Sequence, residues 1–127
     1  MIAALIADFA ANDPDVDVWA RYPDVSEAED EHTDDVDCKV MSERFVQYAH
    51  RRGYAAQLVR LTDAPDAYVH YVVALTDDHR QTFVDWTYRQ FHNLAEPVLD
   101  VRNAPFPFIY TGEALDHPAG FTQTEWL

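Results

Sequence analysis

Three residues of this sequence carry the side chains from which a cysteine-dependent acyl-transfer site is built. Cys38 is the only cysteine, His70 lies inside the apolar stretch AYVHYVVAL, and Asp85 follows fifteen residues later in FVDW. A thiol becomes a good nucleophile when an imidazole takes its proton and a carboxylate holds that imidazole in one orientation. These residue types suggest a triad of Cys38, His70 and Asp85, provided that the fold brings the three side chains together.

The helix that would carry Cys38 is predicted from Asp37 to Arg52. Asp37 suits the N-cap, and Gly53 stands where a glycine commonly follows the last helical turn. Five side chains recur at the spacing of one buried helix face: Cys38, Met41, Phe45, Tyr48 and Ala49. Unpaired N–H groups at a helix start stabilise a thiolate, whereas the neighbouring acids oppose it. A buried structural cysteine fits the same pattern, so both interpretations stay open.

Three β-strands are predicted after this helix, over residues 54–61, 67–76 and 81–86, with turns at TDAPDA and DDHR between them. If Asp77 and Asp78 form the two-residue loop of the second hairpin, His70 lies directly opposite Asp85. Directly opposed side chains share a face of the sheet, with Cβ atoms about 5 Å apart. The register thus predicts a pair of His70 and Asp85, although a structural histidine with a hydrogen-bond partner also fits this strand.

The remaining segments are predicted to serve packing or solubility. Residues 2–11 have the spacing of an amphipathic helix that ends at Asn12, and the acid-rich residues 23–37 suit a solvated loop. The alternating Pro and Phe residues at 105–108 suit an edge strand or a loop beside a substrate. Four histidines outside the triad are predicted to lie on the surface: His50, His79, His92 and His117.

The overall composition excludes several classes of partner. The 127 residues include 23 acidic and 9 basic side chains, for a formal net charge of −14. Nucleic acids and anionic membranes bind basic surfaces, so neither is expected as a partner.

The apolar stretch near the N-terminus is too short for a bilayer and lacks the basic residues of a signal peptide. A single cysteine excludes an intrachain disulfide, which favours a reducing, cytoplasmic location. Length and composition fit one domain over residues 1–127.

The acidity has two further features, since Lys39 is the only lysine and Asp outnumbers Glu by 16 to 7. A protein of a high-salt cytoplasm would use such a carboxylate surface, because salt screens its self-repulsion. A coding bias toward Ala, Val, Asp and Arg would give the same composition. An acidic inhibitor that mimics the phosphates of nucleic acid is the third interpretation, but it has no use for a lone cysteine.

The order of these segments resembles the core of the transglutaminase-like cysteine hydrolases, which are relatives of the papain-like fold. The similar pieces are CKVMSERFVQYAHRRGYAAQLVRL, HYVVAL and FVDWT, which fall within residues 37–91. Family members typically show a cysteine at a helix start, a glycine-containing turn, a histidine-led strand and a strand with aspartate and threonine. The resemblance implies an α+β fold in which the Cys-bearing helix packs on an antiparallel sheet.

The resemblance also implies a role for each candidate residue. Cys38 would be the nucleophile, His70 the general base and then the acid, and Asp85 the residue that orients His70. The implied substrate is a protein or peptide, attacked at a peptide, isopeptide or glutamine amide to give a thioester. No cofactor or metal is implied, and hydrolysis is expected rather than cross-linking.

The sequence departs from the family pattern at three places. Asp37 stands where Gly is common, Trp86 replaces the usual Pro after the aspartate, and no Gln precedes Cys38 as an oxyanion donor. The oxyanion hole would then use the Cys38 backbone N–H and a second donor, for which Trp86, Tyr71 and Gln90 are candidates. A catalytically inactive papain-like binding module is therefore the alternative to an enzyme.

Overall fold

The computed structural model describes residues 2–63, 69–93 and 103–127. Within these ranges the helices are α1 (Ile2–Asn12), α2 (Pro14–Arg21), α3 (Glu27–Asp35) and α4 (Cys38–Arg51). The strands are β1 (Ala55–Thr62), β2 (His70–Asp77), β3 (Arg80–Asp85), β4 (Phe108–Thr111) and β5 (Gln123–Trp126). They form one antiparallel sheet in the order β4-β3-β2-β1-β5, with 3₁₀ turns at Tyr88–Asn93 and Ala114–Asp116. The predicted α+β class, with a Cys-bearing helix packed on an antiparallel sheet, is confirmed.

Helix α4 begins and ends as the sequence predicts. The Asp37 carboxylate accepts the backbone N–H of Val40 at 3.0 Å, which caps the first turn. At the other end Gly53 has φ of +79°, a conformation that glycine adopts without strain. Its N–H donates to the C=O of His50, and the next N–H donates to Ala49, as in a Schellman turn. The predicted apolar stripe is buried and packs on β1 and β2.

The acid-rich segment is partly helical, so the predicted solvated loop over residues 23–37 is wrong for α3. The Ser26 hydroxyl accepts the N–H of Glu29, and the Glu29 carboxylate accepts the N–H of Ser26, each at 3.2 Å. This capping box, together with acidic residues near the positive end of the helix dipole, favours helix despite the polar composition. Most of α3 is exposed, which accounts for its lack of an apolar stripe.

The β2–β3 hairpin turns one residue later than predicted. Its two-residue loop consists of Asp78 and His79, with φ of +48° and +66°. Asp77 therefore pairs with Arg80, and the predicted direct opposition of His70 and Asp85 is wrong. A type I′ turn needs positive φ at both central residues, and Asp and His are among the residues that adopt it more readily. Because the register differs by two positions, each side chain keeps its predicted face.

The two edge strands of the sheet, β4 and β5, relate differently to the predictions. An edge strand or a loop is predicted at residues 105–108; residues 105–107 form a loop, and Phe108 begins β4, which pairs with β3 at one edge of the sheet. Strand β5, which was not predicted, pairs with β1 at the other edge. Most of the predicted TDAPDA turn and the start of the predicted second strand, at residues 64–68, lie outside the described residues.

The sheet separates two apolar layers. On one face Val73 and Leu75 of β2 pack with the buried residues of α1, α2 and α4. On the other face Val72 and Ala74 pack with the segments after β3, which include Phe91 and Phe121. Successive residues of a strand point to opposite faces. By this alternation His70 belongs to the second face, away from the bulk of α4.

Candidate active site

Cys38 is the first residue of α4, and a hydrogen bond from Ser42, one helical turn further along the chain, holds this end of the helix on the sheet. The hydroxyl of Ser42 donates to the C=O of Tyr71 at 3.2 Å, which holds the start of α4 against the start of β2. Cys38 is 8% exposed. The first N–H groups of a helix lack acceptors within the helix, and Asp37 accepts that of Val40. The start of α4 therefore presents backbone N–H donors next to Cys38.

His70 and Asp85 form the pair that the sequence predicts, although they meet diagonally across the hairpin. Nε2 of His70 lies 2.7 Å from Oδ2 of Asp85, and both side chains are fully buried. His70 begins β2 and Asp85 ends β3, so the pair lies at one end of the sheet. A carboxylate on one ring nitrogen fixes the orientation of the imidazole and leaves the other nitrogen for proton transfer.

Three donors hold the Asp85 carboxylate. Oδ1 accepts the backbone N–H of Thr87 at 3.0 Å, and Oδ2 is 2.8 Å from Nε2 of His117 as well as 2.7 Å from His70. Burial alone would raise the pKa of Asp85, but the charge of His70 and the two imidazole hydrogen bonds lower it well below its ordinary value. Asp85 is therefore an oriented carboxylate at neutral pH.

The charge of His70 follows from its neighbours. Burial alone would lower the pKa of His70, but Asp85 and then Cys38 raise it to about 10. His70 is therefore an imidazolium at neutral pH, and such a cation beside a thiol stabilises the thiolate. Nδ1 of His70 is buried and has no hydrogen-bond partner among the described residues. Cys38 is nevertheless close enough to His70 to raise the pKa of the ring.

His117 was predicted to lie on the surface, and that prediction is wrong. It is 2% exposed and reaches Asp85 from the segment between β4 and β5. The sequence around it has no strand or helix periodicity, and the uncharged stretch HPAGF is the only local hint of burial. His50 and His79 are exposed as predicted, whereas His92 is half-buried against the ring of Tyr22.

His70, Asp85 and His117 also bring three potential metal ligands within 4.8 Å of one another in the described part of the chain. The hydrogen bonds of His117 do not suit a metal. The backbone N–H of Ala119 donates to Nδ1 of His117 at 3.1 Å, so the proton of the neutral ring lies on Nε2. A metal would need the Nε2 lone pair instead. A hydrogen bond from His117 to Asp85 fits this cluster better than a metal does.

The second oxyanion donor stays a prediction. Trp86 is fully buried, and its ring packs on Phe45 with centroids 5.2 Å apart, two helical turns after Cys38. Its indole Nε1 is buried without a hydrogen-bond partner among the described residues. Tyr71 and Gln90 are half-buried. The Cys38 backbone N–H, with one of these three side chains, is the expected oxyanion hole.

Comparisons of the chain with models of protein families, with curated proteins and with solved structures found no match. Among the described helices, none has the length and apolar character that a membrane span requires. The assignment of a function therefore depends on the chemistry of Cys38, His70 and Asp85 themselves.

Proposed function

We propose that this protein is a cysteine-dependent hydrolase or acyltransferase of the transglutaminase-like type, with Cys38, His70 and Asp85 as its catalytic triad. The observation that supports this most strongly is the environment of His70. One ring nitrogen is bonded to a buried carboxylate, the other has no hydrogen-bond partner among the described residues, and Cys38 raises the pKa of the ring. A buried imidazole of this kind is suited to exchange a proton with a thiol and a leaving group.

The proposed reaction begins with attack of the Cys38 thiolate on the carbonyl carbon of a peptide, isopeptide or glutamine amide. The carbonyl oxygen takes up negative charge, which the N–H groups at the start of α4 stabilise. The C–N bond then breaks as protonated His70 gives its proton to the leaving amine, and a thioester forms on Cys38.

The second half of the reaction regenerates the site. His70, now neutral, takes a proton from a water molecule or an amine as that molecule attacks the thioester carbonyl. The C–S bond breaks, an acid or a new amide is released, and the Cys38 thiolate stands again beside protonated His70. Asp85 keeps the same orientation throughout and balances the charge of His70 whenever the ring is protonated.

An inactive binding module is the second candidate, because the site is closed in this structure. Cys38 is 8% exposed, and His70 and Asp85 are fully buried. A substrate must therefore reach the sulfur through a narrow opening or a movement of the covering segments. If neither occurs, Cys38 is a core residue, and the polar pair of His70 and Asp85 serves only structure.

The rate of Cys38 alkylation by iodoacetamide near neutral pH distinguishes the two candidates. We expect the folded wild type to react fastest, Asp85→Asn more slowly, and His70→Ala slowest, because each change weakens the cation beside the thiol. His79→Ala, which removes an exposed histidine of the same hairpin, is the matched control and should react like the wild type. Labelling of the wild type only after denaturation would refute the enzyme and favour the binding module.

A further inference from the structure

We propose that His117 is a positioning residue of this site, which donates its Nε2–H to Asp85 and holds that carboxylate toward His70. This inference rests on the proposed triad. Oδ2 of Asp85 is hydrogen-bonded to both imidazoles, at 2.7 Å from Nε2 of His70 and 2.8 Å from Nε2 of His117. Without His117 the carboxylate is held by Thr87 on Oδ1 and by His70 on Oδ2, and the donor from His117 restricts its orientation further.

The direction of this hydrogen bond follows from the other nitrogen of His117. A neutral imidazole carries one proton, on either Nδ1 or Nε2. Nδ1 of His117 accepts the backbone N–H of Ala119 at 3.1 Å, so this nitrogen presents a lone pair. The ring proton is therefore on Nε2, where it faces Oδ2 of Asp85. The backbone N–H of Ala119 thus favours the tautomer of His117 with the proton on Nε2, which can donate to Asp85.

His117 acts in the neutral form. The titratable groups that face it are Asp85 from β3, His70 from β2, Tyr88 from the first 3₁₀ turn and Tyr110 from β4. Burial lowers the pKa of His117, and the charge of His70 adds to this effect against the attraction of Asp85. Burial also raises the pKa of both tyrosines, so they stay uncharged at neutral pH. His117 can therefore donate to Asp85 without adding a second positive charge.

Aromatic side chains hold the two imidazoles in a common enclosure. Phe91 contacts both rings, with centroids 4.8 Å from His70 and 5.5 Å from His117. Phe121 stacks on His70 at 5.8 Å and meets His117 edge-on at 5.3 Å. In this apolar surrounding an unpaired donor or acceptor is costly. The enclosure therefore favours the arrangement in which both imidazoles are bonded to Asp85.

This arrangement gives His117 an effect on Cys38 that is transmitted through Asp85 and His70. Without the His117 donor, Asp85 keeps the N–H of Thr87 but loses one of the two bonds on Oδ2. His70 is then less firmly oriented and less firmly held in its protonated form. We expect the rate of Cys38 alkylation at neutral pH to fall about tenfold, the effect of one lost hydrogen bond to a charged group.

The test compares the pH profile of Cys38 alkylation in two variants. His117→Phe keeps the aromatic contacts but removes the donor, whereas His117→Gln offers an amide N–H in its place. We expect alkylation of the Phe variant to be slow and its profile to move to higher pH, while the Gln variant recovers most of the rate. A role in packing alone predicts the reverse order, with the Phe variant closer to the wild type.

Two outcomes separate failure of this inference from failure of the proposed function. If His70→Ala slows alkylation but His117→Phe leaves the rate and the pH profile unchanged, the triad stands and the role of His117 is refuted. If neither variant changes the rate, the triad itself is refuted. Where the Phe variant does not fold, the ¹⁵N spectrum of the wild-type imidazoles decides, because a proton found on Nδ1 of His117 would overturn the inference.

Discussion

Replacement of Asp85 by Asn tests whether a buried charge pair supports both the fold and the site. The Asp85 carboxylate accepts three hydrogen bonds, from His70, His117 and the backbone N–H of Thr87. An Asn side chain accepts through one oxygen and offers an NH₂ group on the other side. In either orientation its NH₂ faces at least one of the present donors. The substitution keeps the volume of the side chain but leaves a donor without an acceptor.

The cost of this change follows from the burial of His70. Removal of one partner from a buried ion pair typically destabilises a protein by roughly 3–5 kcal/mol, because the remaining charge is unpaired. His70 can reduce this penalty by losing its proton, so we expect about 3 kcal/mol at neutral pH. For a domain of this size that corresponds to a fall in melting temperature of roughly 10 °C.

Urea denaturation followed by tryptophan fluorescence measures this cost, since Trp86 is fully buried next to Asp85 in the chain. The midpoint should move to lower urea with little change in slope, which indicates a change in stability alone. Asp17→Asn is the matched control, because Asp17 forms an exposed ion pair with Arg21 and should have little effect. If Asp85→Asn is no more destabilising than Asp17→Asn, Asp85 is not the charged partner of His70.

Two further predictions concern pH and salt. Because the pKa values of His117 and Asp85 are lowered in the folded state, stability should fall as pH drops below 6.5 and again below 3.8, their ordinary values. The pKa of His70 is raised, so its contribution to the stability of the fold is complete below pH 6.5 and is lost as the pH rises toward about 10. A stability that does not change over that pH range would contradict the ion pair of His70 and Asp85. Added KCl should raise the melting temperature if the charge of −14 reflects a high-salt host. Screening of the repulsion between carboxylates is largely complete by about 0.5 M salt, so a further rise of the melting temperature above that concentration indicates ion-dependent hydration. A melting temperature that does not respond to salt leaves a coding bias as the explanation of the acidic composition.

The sequence predicts those parts of the site that depend on local patterns. The stripe from Cys38 to Ala49 and the glycine at position 53 define α4, because helix periodicity and capping act within a few residues. The face shared by His70 and Asp85 was also predictable. An error of two positions in the register preserves the alternation of a strand, so the pair meets although the predicted loop was wrong.

Two of the parts that the sequence did not predict, the position of His117 and strand β5, depend on contacts between distant segments. His117 is 32 residues from Asp85 in the chain, and only the folded sheet brings it there. Strand β5 has four exposed residues, so it carries no alternation of buried and exposed positions from which to predict it. Helix α3 does have a local signal, the Ser26 and Glu29 capping box, but its acidic composition suggested a loop.

Formation of an acyl-enzyme on Cys38 tests the proposed function most directly. The folded protein is mixed with an activated acyl ester such as p-nitrophenyl acetate, and its intact mass is followed with time. We predict the addition of one acetyl group to Cys38, its loss by hydrolysis, and slower acylation in His70→Ala. The absence of acylation in the folded wild type, or acylation that is unaffected by Cys38→Ala, would contradict a thiol nucleophile in this site.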